Sequence, residues 1–150
     1  MAHFLTTSEI SAAIRAVTIV HFDIRFDDAS ATFTIPVKAG TLVHEVGAAV
    51  TTAFTSTSPD LVVGDGDDDN GYLQASALDL DLSTATNVNL IVSSAATTNG
   101  YRYGRYYPSD DTIDFVWTQG SGTKTAGSLK GFVKLSNVQY DGIPTAAVGS

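Results

Sequence analysis

Hydrophobic and polar side chains alternate along much of this chain. Val20, Phe22, Ile24 and Phe26 share one parity, with His21, Asp23 and Arg25 between them. This period of two predicts a half-buried antiparallel strand over Arg15 to Phe26. After the polar turn Asp27-Asp28-Ala29-Ser30, Phe33 and Ile35 mark a second strand from Thr32 to Val37. Pro36 donates no ladder hydrogen bond, which places it at an edge or a strand end. A tight turn is expected at Lys38-Ala39-Gly40, with glycine supplying positive φ. The stretch from Leu42 towards Phe54 is the longest. As a strand it sets Leu42, Val46, Val50 and Phe54 on one face and Glu45 and Thr51 on the other. Those four residues are also spaced as on a helix. The β-branched residues and Gly47 favour the strand, and Gly47 is expected to mark a bulge or bend.

Further strands are predicted at Leu61–Gly64, at Tyr72-Leu73 and over Val88–Val92. Leu78, Leu80 and Leu82 alternate with Asp79 and Asp81 as in an edge strand or extended segment. Thr97 to Asp111 is predicted as a long loop. Ile113, Phe115 and Trp117 alternate with Asp114, Val116 and Thr118, which predicts a strand, and Gln119 to Gly127 is a Gly/Thr-rich loop. The last strand, Leu129 to Val138, sets Leu129, Val133 and Leu135 inward and Lys130 and Lys134 outward, with Phe132 breaking the alternation. Residues 1–14 form an N-terminal arm. Within it, Ser8 as N-cap with Ile10 and Ile14 one turn apart suits a short helix, and an extended arm is the equal alternative. Residues 15–141 then make one domain and residues 142–150 a small, polar tail. Roughly eight strands and no internal repeat predict an all-β fold, a jelly-roll-like antiparallel β-sandwich or barrel.

Composition narrows the function classes. The 150 residues suffice for one core. With 16 acidic and 8 basic side chains the net charge is −8, which repels nucleic-acid phosphates. The chain has no cysteine, so disulfides and thiolate metal sites are excluded. No apolar run reaches the roughly 20 residues of a membrane span, so no membrane partner is expected. The N-terminal residues lack the basic and apolar regions of a signal peptide, so synthesis without signal-peptide secretion is expected.

Two loops concentrate the polar chemistry. Asp65, Asp67 and Asp69 are spaced like the start of a calcium loop. However, the sixth position is Asn70 rather than Gly and the twelfth is Ser76, which cannot clamp calcium through two oxygens. They are weak metal candidates, a solvated Asp/Gly turn is the simpler account, and no metal or other cofactor is expected. The second loop holds Tyr101, Arg102, Tyr103, Arg105, Tyr106 and Tyr107. Exposed Tyr and Arg serve interfaces, aromatic faces also stack on sugars, and tyrosines can simply cap a core. His21 and His44 fall on different faces by parity, so structural roles are expected for them. There is no G-x-S-x-G, no H-E-x-x-H and no phosphate loop, and the pair Asp110-Asp111 is ordinary loop chemistry. No enzymatic activity is expected.

The run Ile35-Pro36-Val37-Lys38-Ala39-Gly40-Thr41-Leu42-Val43, then Val50-Thr51-Thr52-Ala53-Phe54, then Leu61 to Gly66 with Gly71-Tyr72-Leu73 resembles a pattern in small structural proteins of tailed bacteriophages. Tyr103-Gly104-Arg105 and Asp111-Thr112-Ile113 resemble its later part. The likeness covers residues 15–135 in patches, and its motifs are turn and strand features. It implies a head decoration (cement) protein, made in the host cytoplasm. Such a protein sits on the capsid exterior as a homo-oligomer, expected to be a trimer, and bridges major capsid subunits. The contact residues expected on this reading are Phe4, Leu5 and Ile10 in the arm and Tyr101, Arg102, Tyr103, Arg105, Tyr106 and Tyr107 in the loop. The alternative function is a carbohydrate-binding or receptor-binding β-sandwich module of a phage tail or fibre.

Overall fold

Among the described residues nine strands form, where the alternation is strongest and where short segments can complete a ladder. In the computed structural model, residues 17–74, 82, 90–92 and 100–137 are described. The strands are β1 (Val17–Arg25), β2 (Ala31–Val37), β3 (Thr41–Thr52), β4 (Asp60–Gly64), β5 (Leu73–Gln74), β6 (Leu90–Val92), β7 (Arg105–Tyr107), β8 (Asp111–Thr118) and β9 (Ser128–Asn137). One sheet has the order β1-β9-β3-β6, with β7 also paired to β3, and the other has the order β2-β8-β4-β5. The pairings between these strands are antiparallel. Each sheet draws strands from both halves of the chain, as two interwound Greek keys do. The fold is therefore a jelly-roll β-sandwich. The expected arm with Phe4, Leu5 and Ile10, the tail from residue 142, and Leu78 and Leu80 lie outside the described residues.

The inner faces follow the predicted parity in β1, β2, β8 and β9. Ile24, Val37, Ile113, Phe115, Trp117, Leu129 and Val133 are all buried, and Pro36 lies on β2, an outer strand of its sheet. Burying such aliphatic and aromatic side chains contributes roughly 1.5–3 kcal/mol each. In β3 the expectation fails at one point. The register slips between Val43 and Glu45, so His44 is an extra residue, and it slips again between Val50 and Thr52. Ahead of the bulge Thr41 and Val43 point inward; beyond it Val46, Ala48 and Val50 do. Leu42 is therefore on the outer face, half-buried, and not with Val46, Val50 and Phe54. Gly47 is no bulge: it pairs in register with Phe132 and Val92 and lies between the two irregularities.

The Lys38–Gly40 turn forms as expected. Thr41 N–H donates to Lys38 O at 3.0 Å and Gly40 adopts φ +83°. Asp110 clamps it from a distance, accepting from Ala39 N–H at 2.8 Å and from Lys38 Nζ at 2.6 Å. The predicted loop from Thr97 to Asp111 needs correction. It contains β7, whose residues Arg105, Tyr106 and Tyr107 pair with Val43, Leu42 and Thr41. β7 thus pairs with the Thr41–Val43 stretch of β3 ahead of the bulge, and β6 with the Gly47–Ala49 stretch beyond it.

Candidate functional site

The acidic loop and the tyrosine-arginine loop, separate signals in the sequence, meet in one cluster at the β7 end of the sandwich. Asp65 stands at the end of β4, where the hairpin to β5 begins. Its own backbone N–H donates to Asp68 O at 2.9 Å, and Tyr72 N–H donates to Val63 O at 2.9 Å, which closes the hairpin. The Asp65 side chain is fully buried. Its Oδ1 accepts from Asp67 N–H at 3.0 Å, Asp68 N–H at 3.1 Å and Tyr101 O–H at 2.9 Å. Its Oδ2 accepts from Tyr107 O–H at 2.7 Å. Arg105 Nε lies 3.0 Å from the same Oδ2, but its N–H is misaligned, so this contact is ionic rather than a hydrogen bond. The Arg105 guanidinium also donates to Tyr101 Oη and Asp67 Oδ2 and lies against the rings of Tyr101 and Tyr107, 4.5 and 5.1 Å from their centroids. Tyr72 completes the group, with its hydroxyl 2.9 Å from that of Tyr107 and its ring edge-on to Tyr101.

Charge and burial decide the protonation states. Burial pushes the Asp65 carboxyl up, but hydrogen bonds from Tyr107, Asp67 N–H, Tyr101 and Asp68 N–H outweigh it and hold the group below its ordinary value. Burial first pushes the phenols of Tyr72, Tyr101 and Tyr107 well up; the neighbouring Asp65 adds to this in Tyr72 and Tyr101, and Tyr72 and then Asp65 do so in Tyr107, so they remain donors. A saturated carboxylate and three firmly protonated phenols offer neither a base nor a nucleophile. Arg105 occupies the cationic position beside Asp65, where a metal would have to sit. Among the described residues no group of three or more His, Asp or Glu side chains is arranged to hold a metal ion. A cavity of about 440 Å³ lies at the opposite end of the sheet, between the Arg25 end of β1 and the Gly127–Lys130 stretch.

The predicted interface residues therefore separate into two groups. Tyr107 is 1 % exposed, Arg105 and Tyr101 are half-buried, and all three turn their polar groups into the cluster. Tyr103 is 82 % exposed, with Arg102 stacked on its ring at 4.4 Å, and Tyr106 is half exposed. Of the weak metal candidates, only Asp65 is enclosed; Asp67 and Asp69 are exposed. His21 is exposed on β1, and His44, at the bulge, pairs with Ser136 Oγ at 2.8 Å. Two contributors escaped the sequence reading: Tyr72, which looked only like the start of a strand, and Gly104. Gly104 has φ +88°, and a Cβ there would come within 2.5 Å of Val43 O. The loop thus crosses directly over the β3 bulge. Gly104→Ala is expected to destabilise by at least about 1 kcal/mol, seen as a lower urea midpoint at unchanged slope.

Fold and cluster together define a jelly-roll domain with an internal polar clamp and no assembled catalytic centre among the described residues. No protein-family model and no curated protein matches the chain. Solved structures do. One chain of the cyanophage Pam1 capsid asymmetric unit superposes with a TM-score of 0.52 at 17 % identity, over 80 % of this chain and 84 % of that one. One chain of the acidic stable capsid of Helicobacter pylori bacteriophage KHP30 superposes with a TM-score of 0.52 at 16 % identity, over 83 % and 94 %. At this identity the likeness establishes the shared fold. Because coverage is nearly reciprocal, the matched chains are also of nearly the same length as this one.

Proposed function

We propose that this chain is a non-enzymatic structural protein of a tailed-phage virion, a cement protein that binds the major capsid protein on the capsid exterior as a homotrimer. The observation that carries this reading is the jelly roll shared, nearly end to end, with chains of similar size from two phage capsids. The inert cluster supports it from the other side: the most elaborate polar site among the described residues ties two loops together and leaves no open position for a substrate. In this role the clamp holds the Tyr103 and Tyr106 region in a fixed shape on rigid strands, and fixed aromatic surface costs little entropy on docking.

Co-sedimentation with purified capsids tests the proposal. Saturable binding at a stoichiometry matching capsid symmetry is expected, and it should be lost on deletion of residues 2–12. Binding that survives the deletion would remove the arm from the mechanism, and no binding to capsids at any stage of maturation would remove the cement role. The exposed Tyr103 also keeps the glycan-binding alternative testable. Glycan-array signal abolished by Tyr103→Ala, without capsid binding, would establish that alternative instead.

A further inference from the structure

The outer face of the β1 sheet carries an apolar row at one end. Register aligns Val17 with Ser136, Ser136 with Leu42, and Leu42 with Tyr106, so one line crosses four strands, apolar except at Ser136, whose hydroxyl is taken up by His44; Ile19 in the next row sits beside Lys134. Val17 is 44 % exposed, Tyr106 49 %, and Ile19, in the next row, 52 %. The row ends at a strand edge: β1 pairs with β9 on one side, and no described strand pairs with it on the other. Proteins usually guard such an edge with charge, proline or a bulge. Asp23 and Arg25 guard the far half of β1, and Pro36 breaks the outer strand β2. The stretch Val17–Phe22 has no charged residue and no proline.

The arm of residues 1–14 enters the fold at this corner, because β1 begins at Val17. It brings Phe4, Leu5, Ile10 and Ile14, side chains that gain from burial. Residues 1–22 contain no Gly, Pro, Asn or Asp, the residues that most favour a two-residue reversal onto the same strand. Fourteen extended residues reach about 50 Å, well past a sheet some 20 Å wide. The chain also leaves β9 near this corner, but from Gly142 onward it carries mostly small residues.

We propose that the apolar row and free β1 edge of one copy receive the N-terminal arm of a second copy, which adds a strand beside Val17–Phe22. Passed head to tail, the exchange builds a ring where the rotation between copies closes, as a trimer needs. It deepens the cement reading by giving the homo-oligomer its interface, yet it is tested without capsids. The cysteine-free chain makes engineered thiols unambiguous. Full-length Phe4→Cys, Leu5→Cys or Ile10→Cys chains are mixed with Ile19→Cys chains, allowed to exchange and oxidised. A covalent heterodimer is expected from at least one mixture. In addition, Ile19→Lys, an exposed change that leaves the fold intact by circular dichroism, is expected to convert the oligomer to monomer by light scattering. An internal disulfide in a monomeric Leu5→Cys/Ile19→Cys double variant would overturn the proposal, because the arm would then cover its own sheet. Absence of a cross-link from all three arm positions would overturn it too. A heterodimer that ignores capsids would leave the arm exchange standing and remove only the cement role.

Discussion

Asp65→Ala is expected to lower the unfolding free energy by about 3–5 kcal/mol, the cost of removing a buried carboxylate on which four hydrogen bonds and one of the two ion pairs of Arg105 converge. For a domain of this size that is a fall of about 10 °C in melting temperature. Arg105 is only 18 % exposed in its side chain and loses the buried one of its two carboxylates, keeping only the exposed Asp67, while Tyr101 and Tyr107 lose the acceptor of their hydroxyls. The loop backbone also loses the oxygen that receives Asp67 and Asp68 N–H. The pH dependence should carry the same signature. Because the native carboxyl titrates below its ordinary 3.8, the unfolded chain takes up the proton first as pH falls. The stabilisation is therefore complete above about pH 4 and is lost as pH falls through the lowered native value. The tyrosines work in the opposite sense. Their native values are raised above the ordinary 10.0, so their contribution is complete below pH 10 and declines as the solution becomes more alkaline. Thermal melts from pH 2 to 11 should thus show a broad plateau with two falling limbs, and Asp65→Ala should flatten the acid limb. An Asp65→Ala melting temperature within 2 °C of the parent would show that the cluster contributes little. Asp65→Ala combined with Arg105→Met should recover part of the loss, since a guanidinium then held only by the exposed Asp67 is removed as well.

The parts of this fold legible in the sequence are those where one strand's pattern depends only on itself. In β1 from Val20 and in β8 from Ile113 every second residue is apolar, and each is buried or half-buried. In β3 parity changes at His44 because the ladder with β9 accommodates one extra residue there, a consequence of pairing between segments some 90 residues apart. Nothing within Leu42–Val50 announces it. The same limit hid the site. Asp65 sits in a turn sequence, and Tyr101, Arg105 and Tyr107 sit in a loop that resembles an interface. Their joining is a contact over 36–42 residues, fixed only when β7 docks on β3. A local signal did exist: Arg105-Tyr106-Tyr107 followed by Pro108 has the composition of a short strand with its stop. The polar look of the loop masked it.

Phe115→Ala is the other substitution expected to cost about 3–5 kcal/mol, here through a cavity. Phe115 is fully buried in β8, stacked on Phe33 at 4.7 Å and 8°, and edge-on to Phe22 at 4.8 Å and 63°. Phe22 belongs to one sheet and Phe33 and Phe115 to the other, so the three rings join the sheets beside the outer strands β1 and β2. Phe22 fits there because Gly131 on β9 leaves room: a Cβ at that position would come within 2.2 Å of its ring. Truncating Phe115 removes both ring contacts at a site that backbone ladders on either side keep from collapsing. Phe115→Leu keeps most of the volume and should cost less than half as much. A Phe115/Phe22 double-mutant cycle should give a coupling of about 0.5–1.5 kcal/mol. Guanidinium unfolding reads each value, and a Phe115→Ala loss below 1 kcal/mol would place the centre of the core elsewhere. The rings face inward, whereas Val17, Ile19 and Tyr106 face outward. Phe115→Ala should therefore still assemble and still bind capsids at low temperature, where enough of it remains folded. Bound partners should then raise its melting temperature, since any ligand selective for the native state stabilises it by mass action. Loss of assembly in a folded Ile19→Lys, against its retention in a destabilised Phe115→Ala, would separate the surface that builds the oligomer from the core that supports it.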